Sequence, residues 1–573
     1  MCRSISYLAA DRLFPEWKVW TQFLDEYTEG LEMDGLRESH PIEINHASEI
    51  DEIIDYISYI KGAFVIRMLQ SYLGANCFQR SLASYVKNFA CLNAKTKDLW
   101  TALEEGSGEP VNKLMNSWTK QKGYPVLSVK VKDQKLVFDQ SRFLASGTHG
   151  DGQWTVPITL CCGSYDVRKN FLLQKNSETL DMKELTSDKS NLASAWVKLN
   201  VDQTGFYRVE YDEDLEARLQ NAIENKYLST TDRFGILDDS FALCMARQKS
   251  FNSFFTLLNA YKEELEYTVL SNLIKMSYKV ERITADAAPE SPVDIKKFFI
   301  SLFPHSAMSR YMSLERPLIS IGIVPKSSFM LRSTYARKLG WEPKPGESHL
   351  DAMLRGEVWT ALAVFGHNLT LEEASRRFLA FLDDRNTPLL HPDIRKAVYV
   401  AVMRRVSTSN RFGYESLLRV YRETNLSQEK ARILSSLTSS PDSNITLEAL
   451  NFLLSSEVRT QDAVLGLAVS REGRETAWTW LKDNWEHISK TWGSGCLITH
   501  FINSIVSPFA SLEKAEEIQE FFASRTNSKI AKTLKQSIER VHINAYWVES
   551  FRIEVQNELA RAFMEIVQTC VIQ

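Results

Sequence analysis

The stretch Ile57–Gly74, which reads ISYIKGAFVIRMLQSYLG, decides the fold of this chain. Its apolar residues recur at helical spacing. The stripe of Ile57, Ile60, Phe64 and Met68 is one part of an apolar surface that runs almost all the way round. Such a helix belongs in the interior of a large domain rather than on its surface. The sequence therefore predicts a buried helix that ends at its last glycine in a left-handed cap.

Two residues of this helix need a separate explanation. Gly62 lies in the helix interior, where glycine costs about 1 kcal/mol relative to alanine, so we expect another group to pack closely against it. Tyr59, judged by residue type alone, is a core aromatic whose hydroxyl is hydrogen-bonded. Neither expectation gives the helix a chemical role.

The composition is that of an ordinary globular protein with several domains. At roughly 150 residues per domain, 573 residues correspond to three or four domains. The 68 basic and 72 acidic residues leave a net charge of −4. This balance gives no reason to expect nucleic acid or an anionic membrane as the main partner.

Cysteine usage and hydropathy indicate the compartment. The eight cysteines are scattered and form no C-x-x-C pair, which is typical of a reducing environment. The first residues lack the architecture of a signal peptide, and no apolar run approaches the ~20 residues that span a bilayer. We therefore expect a cytoplasmic protein without a transmembrane segment. Peripheral membrane association stays open.

The period of the apolar pattern changes twice along the chain. Residues 1–126 are helical in pattern, and residues 127–212 alternate apolar and polar positions with short turns. The pattern is helical again over residues 213–573, with good N-terminal signals such as Ser229 and a capping box at Thr370 and Glu373. The sequence predicts a mainly α multidomain protein: a helical lobe, a small antiparallel β-sandwich and a C-terminal α-solenoid.

Several long strings resemble one family, the zinc aminopeptidases of the aminopeptidase N and puromycin-sensitive type, and in particular its plant members. The strings are ISYIKGAFVIRML (Ile57–Leu69), SYLAADRLFPEWKVW (Ser6–Trp20), NSWTKQKGYPVL (Asn116–Leu127), NVDQTGFYRVEYD (Asn200–Asp212), RFGILDDSFALCMARQ (Arg233–Gln248) and GESHLDAMLRGEV (Gly346–Val358). The resemblance covers nearly the whole chain.

This resemblance implies a fold and an activity. Residues 1–126 would be the C-terminal α lobe of a thermolysin-like catalytic domain, residues 127–212 the β-sandwich, and residues 213–573 the helical domain that closes over the cleft. In the family, the tyrosine that matches Tyr59 lies opposite the zinc and hydrogen-bonds the oxyanion of the tetrahedral intermediate. The expected reaction is the hydrolysis of N-terminal residues from peptides.

The zinc motifs of the family are not found in this sequence. The H-E-x-x-H helix, the glutamate of the N-E-G-F-A segment and the amine-binding G-A-M-E-N segment would all lie upstream of residue 1. The remaining His/carboxylate cluster, His40 and His46 with Glu43 and Glu49, has a spacing of six and a helix-breaking Pro41. We interpret it as a solvated loop. We therefore expect a chain that lacks its zinc ligands and is inactive by itself.

Two stretches depart from the family. Residues Pro304–Tyr335 read as an insertion in a helix, and the tail after Ser550 does not resemble the family's ending. These two stretches, and the absence of the family's N-terminal zinc motifs, suggest a truncated or imperfect gene product. Retained intron sequence is one hypothesis for it. Loss of half a catalytic domain would also expose apolar surface of Ile57–Leu73 and lower solubility.

Two functions from different classes follow. The first is a zinc metallo-aminopeptidase seen without its N-terminal part. The alternative is a non-catalytic helical-solenoid protein that binds peptides or partners, or that dimerises with itself or with a complete paralogue. The sequence does not decide the preferred N-terminal residue or the oligomeric state.

Overall fold

The computed structural model describes residues 2–43, 57–148, 150–185, 194–261, 264–284, 339–493 and 497–571, with side chains described as far as residue 554. The chain divides into two compact units, residues 1–261 and 262–573. Helix predominates in both, as predicted, and the strands lie in the first unit. None of the helices described is long and apolar enough to cross a membrane.

The first unit begins with a helical lobe. Its helices are α1 (Cys2–Leu13), α2 (Val19–Asp34), α3 (Gly62–Leu73), α4 (Ala75–Asn88), α5 (Thr96–Ser107) and α6 (Val111–Thr119). A π-helical turn, Ile57–Lys61, runs directly into α3.

The core of this lobe forms around α3. Phe64 is fully buried and stacks on Phe23 of α2 with ring centroids 4.0 Å apart. Leu69 and Met68 are also buried, which confirms the predicted core helix. The helix does end at Gly74, which has φ 81° but ψ 144°, so the cap is not left-handed.

The apolar exposure expected for this helix is wrong. Apart from Tyr59, the apolar residues from Ile57 to Leu69 are buried in the structure, and Leu73 is half-buried. Exposed apolar side chains of the lobe lie elsewhere, among them Leu13 (70% exposed) at the end of α1 and Leu92 (68% exposed) after α4.

Residues 125–211 form two sheets. The strands are β1 (Pro125–Lys132), β2 (Lys135–Arg142), β3 (Val156–Cys162), β4 (Ser164–Leu173), β5 (Ser177–Asp181), β6 (Val197–Leu199) and β7 (Arg208–Tyr211). One sheet has the order β5-β2-β1-β7 and the other β4-β3-β6.

The strand periodicity is confirmed, with one correction. The predicted turn at Asp133 and Gln134 has positive φ at both residues, the geometry that a two-residue hairpin loop requires. However, β1 pairs with β7 in parallel, so the first sheet is mixed rather than antiparallel. The long connection between these strands, which passes through the second sheet, permits a parallel return.

Three helices follow the sheets within the first unit: α7 (Glu213–Glu224), α8 (Thr230–Met245) and α9 (Phe251–Asn259). Arg208 of β7 is 1% exposed and lies 2.8 Å from Asp238 and 3.0 Å from Asp239 of α8. This buried ion triad joins α8 to the first sheet. The division of the chain at residues 126 and 212 stays a prediction.

The second unit is helical throughout its described residues. Its helices are α10 (Tyr267–Ile283), α11 (His349–Val364), α12 (Asn368–Asp383), α13 (Arg395–Met403), α14 (Phe412–Glu423), α15 (Ser427–Leu437), α16 (Ser443–Leu453), α17 (Arg474–Asp483), α18 (Trp485–Trp492), α19 (Leu497–Val506), α20 (Leu512–Phe522) and α21 (Ser528–Val571). The predicted insertion, Pro304–Tyr335, lies outside the described residues.

Polar contacts in this unit recur at a nearly constant sequence separation. Arg422 pairs with Glu457 at 2.6 Å across 35 residues. Arg474 donates to the Pro508 carbonyl across 34 residues. Asn544 donates to the Ser507 carbonyl across 37 residues. These contacts link residues about 34 to 37 positions apart, and the solenoid arrangement stays a prediction.

The predicted helix caps in this unit and in α8 are partly right. Ser229 accepts a hydrogen bond from the Asp232 amide and caps α8 as predicted. The capping box at Thr370 is wrong, because the helix start lies three residues earlier than predicted and His367 caps α12 by accepting from the Thr370 amide. A histidine ring nitrogen can replace a hydroxyl as the acceptor at a helix start, so caps are not confined to Ser and Thr.

Candidate functional site

Tyr59 lies on the π-helical turn that precedes α3. Its side chain is 52% exposed, and its hydroxyl forms no hydrogen bond with any residue that the structure describes. The neighbouring Ile57 and Ile60 are 0% and 2% exposed. The interpretation of Tyr59 as a core aromatic with a satisfied hydroxyl is therefore wrong. A π-helical turn widens the helix locally and often marks a functional position.

A buried ion pair anchors this turn. The Lys61 ammonium lies 3.0 Å from a carboxylate oxygen of Asp34 at the end of α2, and both side chains are fully buried. Lys61 also donates to the backbone carbonyl of Gly123 at 2.9 Å. The Gly123 amide in turn donates to Asp34 at 3.0 Å. The hydroxyl of Ser39 donates to the same carboxylate.

This arrangement fixes the backbone two residues from Tyr59. Three separate segments meet at Lys61: the π-helical turn, the end of α2 and the loop before β1. The tyrosine thus projects from an anchored turn, and its hydroxyl has no partner among the residues that the structure describes. Neither Lys61 nor Asp34 was predicted from the sequence. A lysine within an apolar helix was the available signal, because such a cation needs a buried partner.

Arg67, two turns further along the helix, is held differently. Its guanidinium lies 4.5 Å from the ring centre of Trp20 and 5.6 Å from that of Phe23. Its Nη1 is buried without a hydrogen-bond partner among the described residues. Burial lowers the pKa of Arg67 to about 10. Its cation is therefore stabilised mainly by the aromatic faces.

The described residues contain no group of three or more His, Cys, Asp or Glu side chains that could hold a metal ion. The ring of His40 lies 2.7 Å from the Pro41 carbonyl, and Glu43 accepts a hydrogen bond from Thr119. His46 and Glu49 lie outside the described residues, so the loop predicted there is untested. The arrangement around Tyr59 therefore supplies a hydrogen-bond donor on a rigid base but no metal ligands.

Comparison with known families finds two matches along the chain. A family model described as "Peptidase family M1 domain" matches residues 1–118. A second, described as "ERAP1-like C-terminal domain", matches residues 196–309 and 330–543, more than half of the chain. The skipped residues 310–329 lie within the predicted insertion, and the match ends before the unusual tail.

Individual relatives agree with these matches. Aminopeptidase M1 of Arabidopsis thaliana is 64% identical over 560 residues, which cover 96% of this chain and 60% of that protein. Aminopeptidase M1-A of Oryza sativa subsp. japonica is 53% identical over 553 residues, with the same coverage of each chain. Puromycin-sensitive aminopeptidase of Caenorhabditis elegans is 29% identical over 581 residues, which are 97% of this chain and 57% of that protein. The chain spans about 60% of the length of the first relatives it matches.

Proposed function

The chain belongs to the M1 family of aminopeptidases, and we propose that it is the tyrosine-bearing part of an enzyme that hydrolyses N-terminal residues from peptides. One observation carries this proposal. The hydroxyl of Tyr59 is exposed and without a hydrogen bond to the described residues, while the backbone beside it is anchored by the buried Lys61–Asp34 pair.

The proposed role of Tyr59 is electrostatic. When an amide carbonyl is attacked, negative charge develops on its oxygen, and a donor already held in position stabilises that charge without reorganising. A phenol hydroxyl on an anchored turn, with no partner among the described residues, meets this requirement, because it breaks no hydrogen bond with them first. Removing one such donor costs about 10²- to 10³-fold in kcat.

Zinc, which the family implies, does not fit the residues described here. No metal-binding group is present among them, so we derive no step that passes through a metal. We propose that the metal ligands and the general base come from outside the described residues, and that this chain alone does not turn over peptides. A cytoplasmic location and peptide substrates are part of the same proposal.

A chimera tests the role of Tyr59. The part of Arabidopsis Aminopeptidase M1 that the match does not cover is joined to this chain, and hydrolysis of aminoacyl-naphthylamides is measured. We expect Tyr59→Phe to lower kcat by about 10²- to 10³-fold with little change in KM. Tyr85→Phe, on α4 of the same lobe, is the matched control and should change neither.

Two outcomes would contradict the proposal. One is an active chimera whose kcat is unchanged by Tyr59→Phe. The other is a fall in kcat of the same size in Tyr85→Phe, which would mean that loss of any lobe tyrosine disturbs the fold. A chimera that folds and binds zinc but never turns over would favour the alternative function, a helical protein that binds peptides or partners without cleaving them.

A further inference from the structure

The last two turns of α10 carry two hydrogen-bond donors that have no acceptor. Tyr278 and Arg282 are four residues apart on this helix. Side chains at that spacing are neighbours on the helix surface, with about 5–6 Å between their Cβ atoms. Neither the Tyr278 hydroxyl nor the Arg282 guanidinium forms a hydrogen bond or an ion pair with the residues that the structure describes. A phenol and a guanidinium thus lie one helical turn apart without partners.

Both groups are accessible to a ligand. The two side chains are half-buried. Their polar atoms are not among those of the described residues that are both sealed from solvent and unpaired. The ring of Tyr278 packs against Phe365, which is 3% exposed and follows α11, with ring centres 5.7 Å apart. The tyrosine is therefore held through its ring, and its hydroxyl remains available.

The carboxylates near these donors have other partners. Glu281, next to Arg282 in the chain, lies 3.8 Å from the guanidinium of Arg471. Glu357 of α11 accepts a hydrogen bond from the Tyr267 hydroxyl at 3.1 Å. No carboxylate of the described residues is therefore bound to the donors in the last two turns of α10.

Arg282 lies in an unfavourable environment while no anion is bound. Burial lowers its pKa, and the positive charge of Arg474 lowers it further, while the Glu281 charge offsets only part of this effect. A guanidinium that is partly desolvated and forms no hydrogen bond costs free energy. The neighbouring arginines, Arg471 and Arg474, make the surroundings net positive even with Glu281 and Glu357 included. A bound monoanion would supply the missing acceptor.

The helix dipole alone does not explain this pair. Arg282 lies in the last turn of α10, where any cation is stabilised by the negative end of the helix. That effect depends on charge, so lysine would serve it equally well. It gives no role to the Tyr278 hydroxyl, which is uncharged, because burial raises its pKa above the ordinary value.

We propose that Tyr278 and Arg282 together bind a carboxylate group of a ligand. The guanidinium donates two parallel N–H bonds to the two carboxylate oxygens, a geometry that the planar fork of arginine matches. The Tyr278 hydroxyl donates to one of the same oxygens. The carboxylate belongs to the C-terminus of a peptide or to an acidic side chain. The inference uses contacts of the second unit alone and does not depend on the proposed hydrolysis.

Isothermal titration of the full chain with three peptides tests the proposal and distinguishes the two sources. N-acetyl-tetraalanine carries a C-terminal carboxylate, its amide carries none, and N-acetyl-Ala-Ala-Glu-Ala-amide carries only a side-chain carboxylate. At least one of the carboxylate peptides should bind saturably and about tenfold or more tightly than the uncharged amide, because a hydrogen bond to a charged group is then made. The one that binds identifies the source, and binding of both means that the site accepts either. Equal binding of all three peptides, or no saturable binding at millimolar concentrations, would overturn the proposal.

Variants locate the site on α10. Arg282→Lys keeps the charge at the helix end but lacks the planar fork, so it should weaken binding of the carboxylate peptide by about tenfold or more and leave the helix intact. Tyr278→Phe should weaken it by about tenfold. The controls, Arg419→Lys and Tyr546→Phe at exposed residues of the same unit, should change nothing. Unchanged binding in folded Arg282→Lys would mean that Arg282 serves only the helix end. An equal fall in variants and controls would also overturn the proposal.

Discussion

Replacing Lys61 by methionine tests whether the buried ion pair anchors the turn that carries Tyr59. Methionine keeps the length of the side chain and removes its charge, so the variant leaves the Asp34 carboxylate buried beside an apolar group. It also removes the hydrogen bond to the Gly123 carbonyl. The remaining hydrogen bonds to Asp34, from Gly123 and Ser39, are kept.

The expected loss follows from the geometry. At 3.0 Å the attraction between the two charges is about 5–6 kcal/mol with an effective dielectric constant of about 20. Desolvation offsets much of this attraction while both partners are present, but removing one partner leaves the other charge buried and unpaired. Such changes cost about 3–5 kcal/mol. We expect Lys61→Met to destabilise the lobe by this amount.

Hydrogen exchange followed by mass spectrometry is the suitable assay, because it reports on residues 57–73 separately from the rest of this long chain. A loss of about 3–5 kcal/mol corresponds to roughly two to four orders of magnitude in the protection of these amides. Lys87→Met, at an exposed lysine of α4, is the control and should change protection by less than about tenfold. The double variant Asp34→Asn, Lys61→Met should recover part of the loss, since no charge is then left unpaired.

Two results would refute this reasoning. Protection of residues 57–73 in Lys61→Met that stays within tenfold of the parent would mean that the pair does not hold the turn. A double variant that loses the sum of the two single losses would mean that the charges act independently rather than as a pair.

Three further predictions use the same assay. Gly62→Ala should stabilise α3 by up to about 1 kcal/mol, seen as higher protection of its amides. Lower protection would instead reveal a close neighbour at that residue. Arg67→Met should change stability by less than about 1 kcal/mol, because the lost contact with Trp20 is offset by removal of a desolvated charge, and a loss as large as that of Lys61→Met would contradict this. Burial raises the pKa of Glu517, but donors from Lys482, Lys514 and Trp478 outweigh it and hold that pKa at about 2. The stabilising contribution of the ionised Glu517 side chain is therefore present above about pH 4 and is lost as the pH falls towards 2. We expect Glu517→Gln to destabilise α20 at pH 7 and to make no difference at pH 2. A destabilisation by Glu517→Gln that does not depend on pH would refute the charge-based explanation.

The sequence alone predicted the elements whose apolar pattern lies within one segment. The apolar surface of Ile57–Leu69 predicted a buried helix, and the alternation after residue 126 predicted the β1–β2 hairpin with its turn at Asp133 and Gln134. Both depend on periodicity within one segment, which the sequence displays directly. Family membership was also recognised correctly from strings spread over the chain.

The features that the sequence did not predict depend on contacts between distant segments. The exposure of Tyr59 follows from a π-helical turn, and a π-helical turn leaves no mark in an apolar pattern of period 3.6. The Lys61–Asp34 pair joins residues from two helices, and the parallel β1–β7 pairing joins strands about 80 residues apart. No local pattern specifies either of them.

The nearly constant sequence separation of polar contacts in the second unit is another feature that the sequence did not predict. The apolar pattern was too degenerate to give a repeat length, but contacts such as Arg411 with Glu448 across 37 residues, and Arg422 with Glu457 across 35, lie near a common spacing. Exposed charged pairs follow no local pattern, so the sequence alone does not single them out among the other arginines and glutamates.

The most direct test of the central claim is a joint measurement of zinc content and aminopeptidase activity on the purified chain. We propose that Tyr59 serves a site whose metal ligands are not supplied by this chain. Elemental analysis should therefore find no stoichiometric zinc, and aminoacyl-naphthylamides should not be hydrolysed. One zinc per chain with turnover that a chelator abolishes would contradict the account, because a complete ligand set would then be present within this chain.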